Sequence, residues 1–397
     1  MNSIYVDNNA TTKVDPKAIE AMLPYLSEFY GNPSSMHSFG GEIGKKIKEA
    51  RAEVASLINA EPDEIIFTSC GTESNNTAIL SGIHSLPAKK HIITTRVEHP
   101  AVKNVYENLA REGYRVTFVP VDRYGRINLD YLYDNLTDDT AIVSIMWANN
   151  ETGVIFPIEE IAKVLSEKDI LFHTDAVQAV GKIPIDVQKV NAGMLSISGH
   201  KIHAPKGVGA LYLRKGTRFS PFLIGGHQEK GRRGGTENVA SIIGLGKASL
   251  LAMENLAIKN SKTAQLRDRL ESEILKQVPN SMVNGDKENR LPGTTNISFE
   301  YVEGEAILLM MNELGICASS GSACTSGSLE PSHVLRAMGI PYTAAHGSIR
   351  FSLSKYNTDE EVDFIIKNIP PIIEKLRQLS PFWHENNQAG TAQAKSA

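Results

Sequence analysis

The sequence predicts an α/β protein with a largely parallel sheet, followed by a smaller α+β domain. Apolar strand-like runs alternate with amphipathic helical stretches from Asn32 to about Leu250. This alternation is typical of βαβ units, in which helices cover both faces of a parallel sheet. Around Asn255 the pattern changes to a long charged helix, short strands and a last helix. The expected parts are a large domain over 14–257, a small domain over 1–13 and 258–383, and a disordered tail over 384–397.

The individual elements follow from short apolar runs and from helical periodicity. Predicted strands are Glu64–Thr68, His91–Thr95, Thr140–Trp147, Ile170–Thr174, Met194–Ser198 and Gly209–Leu213, and in the small domain Gly293–Phe299 and Ser348–Leu353. The helix over Gly44–Leu57 places Ile47, Ala50 and Val54 on one face. Further helices are predicted over Lys262–Gln277 and Asp359–Leu379. Ligands of such sheets bind at the carboxyl ends of the strands, so polar residues that follow these runs are the candidates for function.

Composition excludes several classes of protein. The chain has 397 residues, 41% hydrophobic and 22% charged, with a net charge of −4. That balance calls for neither nucleic acid nor an anionic membrane as a partner. The N-terminus lacks the basic and apolar regions of a secretory signal. Three cysteines, an odd number, argue against a disulfide framework. We therefore expect a cytoplasmic protein.

Lys201 and Asp175 follow neighbouring predicted strands. Lys201 lies in Ser-Gly-His-Lys, directly after the run Met194 to Ile197. A lysine held partly away from water can form a Schiff base, although a surface lysine on a turn has the same local sequence. Asp175 ends the run that precedes it, where a carboxylate could pair with a protonated pyridine nitrogen or cap a helix.

Polar residues also follow three other strands. Gly71 and Thr72 lie between a strand and a helix, which suits a phosphate as well as an ordinary helix cap. His99 follows the strand that ends near Thr95, where its ring could lie over a planar cofactor or simply occupy a turn. Asn150, in Asn-Asn-Glu-Thr-Gly, could contact a ring substituent or a substrate carboxylate, but this is also turn chemistry.

The remaining candidates are the cysteines, Arg350 and Thr236. Cys324 lies among Ser, Gly and Ala, so its thiol is expected to be exposed and able to react, whereas Cys70 and Cys317 have the context of small core residues. Arg350, inside a short strand, could hold a carboxylate through its paired donors or face solvent. Thr236 lies in a glycine-rich basic turn that could reach a phosphate.

Taken together, these motifs resemble the NifS-type cysteine desulfurases, which are fold-type I pyridoxal-phosphate enzymes. The resemblance runs from Tyr5 to about Trp383. Its markers are Ser-Gly-His-Lys, His-Thr-Asp-Ala-Val-Gln, Asn-Asn-Glu-Thr-Gly, Gly-Asn-Pro-Ser-Ser and Ser-Ser-Gly-Ser-Ala-Cys-Thr-Ser-Gly. Each motif is weak alone, but their joint order is specific to this family.

The resemblance implies a role for each candidate residue. Lys201 would carry pyridoxal 5′-phosphate and move protons, Asp175 would pair with the ring nitrogen, and Cys324 would take sulfur from L-cysteine as a persulfide. The other implied contacts are with the phosphate (Gly71, Thr72, Ser198, His200 and Thr236 of the partner subunit), the ring (His99, Gln178, Asn150) and the substrate carboxylate (Asn150, Arg350).

The resemblance also implies partners. The sulfur would pass to an iron–sulfur scaffold protein, the enzyme would be a homodimer, and Cys324 could contact iron through its persulfide. The segment after Trp383 differs from the tail of housekeeping desulfurases, which favours a role in nitrogenase cluster assembly. Three alternatives stay open: a selenocysteine lyase, an aminotransferase of the same fold, and a non-enzymatic sulfur carrier or scaffold.

Overall fold

Twelve strands and twelve α-helices are present in the computed structural model, which describes residues 3–320, 330–381 and 383, apart from the side chains of 257–261. The strands are β1 (Ile4–Tyr5), β2 (Ile65–Thr68), β3 (His91–Thr95), β4 (Arg115–Val119), β5 (Thr140–Ser144), β6 (Leu171–Asp175), β7 (Met194–Ser198), β8 (Gly209–Leu213), β9 (Ser281–Val283), β10 (Thr294–Phe299), β11 (Ile316–Cys317) and β12 (Ser348–Ser352). The helices are α1 (Pro16–Met22), α2 (Pro24–Ser27), α3 (Ser38–Leu57), α4 (Gly71–Ser85), α5 (Pro100–Arg111), α6 (Leu129–Asp134), α7 (Ile158–Glu167), α8 (Val239–Gln277), α9 (Gly304–Glu313), α10 (His333–Ala337), α11 (Tyr342–His346) and α12 (Asp359–Leu379).

A seven-stranded sheet, in the order β2-β8-β7-β6-β5-β3-β4, forms the centre of the larger part. All neighbouring pairs are parallel except the two pairs that involve β8. The predicted fold class, a mainly parallel sheet between helices, is therefore confirmed. The six predicted strands are present within a few residues, but β4 was not predicted. This edge strand is only partly buried and carries Arg115 and Thr117, so its apolar signal is weak.

Helices cover both faces of this sheet because its strand residues alternate between them. Ile65, Phe67 and Ile93 belong to the hydrophobic cluster that includes buried residues of α3, α7 and the first half of α8. Ile66 and Ile92 point the other way and pack with buried residues of α4 and α5. Strands buried on both faces read as continuous apolar runs, which is why the sequence located them well.

A three-stranded antiparallel sheet, in the order β12-β10-β9, lies in the smaller part and packs with the second half of α8 and with α12. The N-terminal segment joins it, since β1 pairs with β11 and Asp7 bridges to Ser352. The predicted domain boundary at residues 257–258 falls inside α8, a single helix of 39 residues. The division into two domains stays a prediction.

The first half of α8, Val239–Leu256, is the one helix segment in the described part of the chain that is long and apolar enough to cross a membrane. Half of this stretch is buried inside the protein, where Ile242, Leu245 and Ala248 belong to the large hydrophobic cluster. The core of a soluble protein produces the same apolar signal, and here the segment packs along α3.

Candidate active site

The predicted lysine lies where the sheet ends. Lys201 closes the short 3-10 helix Gly199–Lys201, which directly follows β7. Its Nζ donates hydrogen bonds to the backbone carbonyl oxygens of Asn9 (2.6 Å) and Ala10 (2.8 Å). Lys201 is only partly buried, yet its amine is held by the N-terminal segment. The geometry is therefore that of a positioned amine rather than of a lysine extending into solvent.

Asp175 lies at the end of the adjacent strand. Its carboxylate is buried, accepts a 2.6 Å hydrogen bond from Asn75 Nδ2 through Oδ2, and accepts a 3.0 Å bond from the Val177 backbone N–H through Oδ1. A side chain of α4 and the backbone just after β6 thus orient both oxygens. A fixed buried carboxylate is suited to stabilising a cation that binds beside it.

His99 occupies the N-cap of α5, where its Nδ1 accepts a 3.1 Å hydrogen bond from the Ala101 N–H. Burial lowers the pKa of His99, and the charge of Asp175 acts in the opposite direction. The hydrogen bond from Ala101 holds the ring in one orientation, with Nδ1 as the acceptor. The charges of Asp175 and Lys201 both act on this pKa, so His99 lies near both groups.

The start of α4 forms a cradle beside the end of β7. A Cβ atom added to Gly71 would lie 2.8 Å from Val177 Cγ2 and 3.2 Å from Ser198 Cβ, so a glycine is required for this approach. Cys70, the N-cap residue, makes no capping side-chain hydrogen bond. Ser198 Oγ is buried and has no hydrogen-bond partner among the described residues. An uncapped helix start beside an unsatisfied hydroxyl fits an anion such as a phosphate.

The three other residues that were predicted to contact the phosphate have different surroundings. Thr72, the second residue of α4, is exposed. His200 shares a 3.1 Å hydrogen bond between its Nδ1 and Thr11 Oγ1, and burial lowers its pKa to about 4. Thr236 is exposed and lines a cavity of about 170 Å³ together with Ser69.

Gln178 and Lys201 donate hydrogen bonds to the same backbone oxygen. Its Nε2 donates to the same Asn9 carbonyl oxygen (3.0 Å) that accepts from Lys201, and its Oε1 accepts a 2.6 Å hydrogen bond from Lys182 Nζ. Gln178 and Lys201 therefore meet at one backbone atom.

Asn150 and Arg350 are in direct contact. Arg350 Nη1 donates to the Asn150 backbone oxygen (3.0 Å), and Nη2 pairs with Asp7 Oδ1 (2.7 Å). The arginine is only 3% exposed, so the alternative of a solvent-facing charge is excluded. Arg350 Nε and Asn150 Oδ1 are both buried without a partner in the described part of the chain. These two atoms are available to a ligand.

Cys324 lies outside the described residues. The predicted contact between Cys324 and iron therefore also falls outside them. The described residues on either side of its segment are anchored at the site. Ser319 bridges to Arg350, whereas Ser332 donates a 2.5 Å hydrogen bond to Glu151 Oε2 and His333 Nε2 bonds the Glu98 carbonyl oxygen (2.9 Å). Within the described ranges, no group of three or more His, Cys, Asp or Glu side chains could hold a metal.

Several contributing residues were not predicted. Asn9, Asn75 and Lys182 hold the candidate side chains, and Glu98, the neighbour of His99 in the chain, is fully buried. The run Asp7-Asn-Asn was visible as a cluster of polar residues, but no spacing linked it to residues almost 200 positions later. Cys70 and Cys317, expected in the core, are only partly buried.

Comparison with known proteins shows the family to which this chain belongs. The aminotransferase class-V model matches residues 4–365. A cysteine desulfurase of Trichormus azollae is 60% identical over 395 residues, covering 100% of this chain and 98% of the relative. The cysteine desulfurase NifS of Azotobacter vinelandii is 60% identical over 387 residues, covering 97% and 96%. A solved NifS-like protein superposes with a TM-score of 0.89 at 39% identity, covering 94% of this chain and 100% of its own.

Proposed function

Because the chain belongs to the aminotransferase class-V family, and within it to the NifS-type cysteine desulfurases, we propose that it removes sulfur from L-cysteine with the help of pyridoxal 5′-phosphate. The observation that carries the proposal is the convergence of the Lys201 amine, the Asp175 carboxylate and the Ser198 hydroxyl at neighbouring strand ends. In the overall reaction, sulfur leaves L-cysteine for the thiol of Cys324, which gives L-alanine and a persulfide.

The residues present fit the cofactor. Ser198 Oγ lacks a partner in the described ranges, and Gly71 leaves space that a side chain would fill. Gly71 begins α4, which has no side-chain cap, and Ser198 lies beside it at the end of β7. A phosphate would bind there. Asp175 would face the ring nitrogen, and His99 would lie against the ring. The further phosphate contacts would come from Thr72, His200 and Thr236 of the partner subunit, and Gln178 would bond the phenolic oxygen. When bound, the cofactor supplies an electron sink that makes cleavage of the C–S bond accessible.

Each residue of the chain has a definable task. Lys201 would bind the cofactor aldehyde through Nζ and afterwards carry a proton to and from the substrate carbon. In the structure this amine donates hydrogen bonds to the carbonyl oxygens of Asn9 and Ala10, which hold it at the site. Asp175, oriented by Asn75, would pair with the ring nitrogen.

Substrate recognition would come from the small sheet. Arg350 Nε is a buried donor with no partner in the described ranges, and a guanidinium group is suited to a carboxylate. Asn150, whose backbone oxygen already holds Arg350, would add its side-chain amide. Ser319, five residues before Cys324 in the sequence, bridges to Arg350 through the backbone, so the carboxylate site adjoins Ser319.

The sulfur would be taken by Cys324 as a thiolate, the nucleophilic form of cysteine. The persulfide would then pass to an iron–sulfur scaffold protein, for nitrogenase cluster assembly, and Cys324 could contact iron at that stage. We propose that this role is carried out in the cytoplasm. The desulfurase activity itself agrees with the similarity to the cysteine desulfurase NifS of Azotobacter vinelandii.

A homodimer is supported by exposed apolar side chains. Leu26, Tyr30 and Met36 are 65%, 74% and 103% exposed, and Ile224 is 91% exposed. In a dimer these side chains would be covered by the partner subunit, as contiguous apolar patches on protein surfaces commonly are. Thr236 of the partner subunit would then complete the phosphate site.

Three variants test the function. The purified protein should show a visible absorbance band that Lys201→Ala abolishes, which excludes a non-enzymatic carrier. Cys324→Ala should abolish sulfide release and persulfide formation from L-cysteine. If alanine formation continued at the full rate in this variant, an aminotransferase-type reaction would replace the desulfurase. Retention of selenocysteine activity alone would favour a selenocysteine lyase. As a control, Cys317→Ala should keep the activity.

A further inference from the structure

A second lysine, Lys182, contacts the same residues as the predicted cofactor lysine. Its Nζ donates hydrogen bonds to Gln178 Oε1 (2.6 Å) and Asn9 Oδ1 (2.9 Å), and it lines a cavity of about 80 Å³ together with Lys201. We propose that Lys182 is a positioning residue that fixes the side-chain amides of Gln178 and Asn9 in one orientation. The inference rests on the proposed function, since Gln178 is assigned there to the phenolic oxygen of the cofactor.

The orientation follows from the chemistry of the amine. A lysine ammonium group has three N–H donors and no acceptor, whereas an amide side chain has a donor end and an acceptor end. Next to Lys182, the Gln178 amide must therefore present Oε1 to the lysine and turn Nε2 the other way. Nε2 then points to the Asn9 carbonyl oxygen, the atom on which Lys201 Nζ rests. The donor of Gln178 is thus directed toward the cofactor side.

Lys182 also fixes the orientation of the Asn9 side-chain amide, which contacts the proposed substrate site. Its Oδ1 is taken by Lys182, so Nδ2 points away and donates to Thr294 Oγ1 (2.9 Å) and the Asn150 backbone oxygen (3.1 Å). The latter atom also accepts from Arg350 Nη1. Through Asn9, Lys182 is therefore linked by hydrogen bonds both to Lys201 and to the Asn150–Arg350 pair.

The setting of Lys182 is unusual for a lysine. Burial lowers its pKa well below the ordinary value, and the charges of Lys201 and Arg350 act in the same direction. Lysines are seldom placed where their charge is unfavourable, and such groups concentrate at functional sites. Even after losing one proton, the amine keeps two N–H groups, enough for both oxygens.

The test compares two probes that differ only in the group that Gln178 would contact. Dissociation constants of pyridoxal 5′-phosphate and of its 3-deoxy analogue, which lacks the phenolic oxygen, are measured on the apoprotein of wild type and of Lys182→Met. We expect the methionine variant to bind pyridoxal phosphate about tenfold more weakly, the value of one oriented hydrogen bond, and to bind the analogue within about twofold of wild type. The preference for the phenolic oxygen should thus disappear.

Two controls separate positioning from a structural role. Lys355→Met removes another lysine of the same cavity, one that pairs with Asp15 and contacts neither amide, and should leave the ratio of the two constants unchanged. Lys182→Arg keeps a donor-only cation and should restore the ratio. An equal loss for both probes in Lys182→Met, or no loss for either, would overturn the proposal.

If the methionine variant does not fold, Lys182→Gln replaces it. A glutamine side chain both donates and accepts, so it no longer imposes one orientation, and the same fall in the ratio is expected; an unchanged ratio again contradicts the proposal. A wild-type protein that binds neither probe would refute the proposed function itself, and with it this inference. Binding of pyridoxal phosphate with no preference over the analogue would refute only the positioning role.

Discussion

Glu98 makes the stability of this protein depend on pH in a direction opposite to that of most carboxylates. The side chain is fully buried beside the active site, where Oε1 accepts from the Met146 N–H (3.0 Å) and from Thr95 Oγ1 (2.8 Å). Oε2 has no partner among the described residues. Burial raises the pKa of Glu98 from 4.5 to about 8, so the folded protein holds a neutral carboxylic acid at pH 7.

The magnitude follows from linkage between protonation and folding. As the pH rises from 4.5 toward about 8, the unfolded chain releases this proton whereas the folded protein retains it. The free energy of unfolding therefore falls over this window, by about 5 kcal/mol in total and by about 2–3 kcal/mol between pH 6 and pH 8. Glu98→Gln abolishes the titration while keeping an acceptor for Met146 and Thr95. The difference between wild type and variant should thus change with pH by that amount.

Urea unfolding of both proteins, followed at pH 6, 7 and 8, measures this difference. The glutamine variant should gain stability relative to wild type at each step. Glu73→Gln serves as the control, because Arg233 lowers the pKa of Glu73 against the effect of burial, so its contribution is constant across this pH range. If the wild-type and Glu98→Gln curves stay parallel from pH 6 to pH 8, the buried-acid reasoning is wrong.

Three further changes probe the site. Gly71→Ala places a methyl group 2.8 Å from Val177 Cγ2, so cofactor affinity should fall at least tenfold, as measured by titration of the apoprotein; unchanged affinity would show that the cradle is not used. Asn75→Ala removes the 2.6 Å bond to Asp175 and should lower kcat about tenfold at constant protein stability, whereas an effect on folding alone would contradict an orienting role. Arg350→Lys loses the paired donors and should raise KM for L-cysteine more than it lowers kcat, and the reverse pattern would remove Arg350 from substrate binding.

The sequence predicted the sheet well because its strands are buried on both faces. Three of the predicted strands, β3, β7 and β8, have the expected limits, and the large sheet is mainly parallel as expected. The same logic failed for β4, which is partly exposed. It also failed for α8: the helix was predicted only over Lys262–Gln277, because the composition changes from apolar to charged near Asn255, although one helix runs from Val239 to Gln277.

The candidate residues that follow strands were also predictable, because their position in the chain decides their position in the fold. Asp175 ends β6, and Lys201 follows the adjacent parallel strand β7 within a short 3-10 helix, so both lie at the same edge of the sheet. Asn9 and Lys182 could not be found in this way. Asn9 acts through hydrogen bonds to residues distant in sequence, which no local pattern records. Lys182 bonds Gln178, four residues before it, but its second partner is Asn9, so the local spacing alone did not reveal its role.

The length of α8 has a mechanical consequence. Its first half supplies Ile242 and Leu245 to the core under the large sheet, and its second half supplies Leu270 and Ile274 to the core under the small sheet. At 39 residues it is a rod about 58 Å long that belongs to both. The two cores are therefore linked by a continuous helix rather than by a loop. We expect a displacement of the small sheet, which carries Arg350, relative to Lys201 to require bending of this helix.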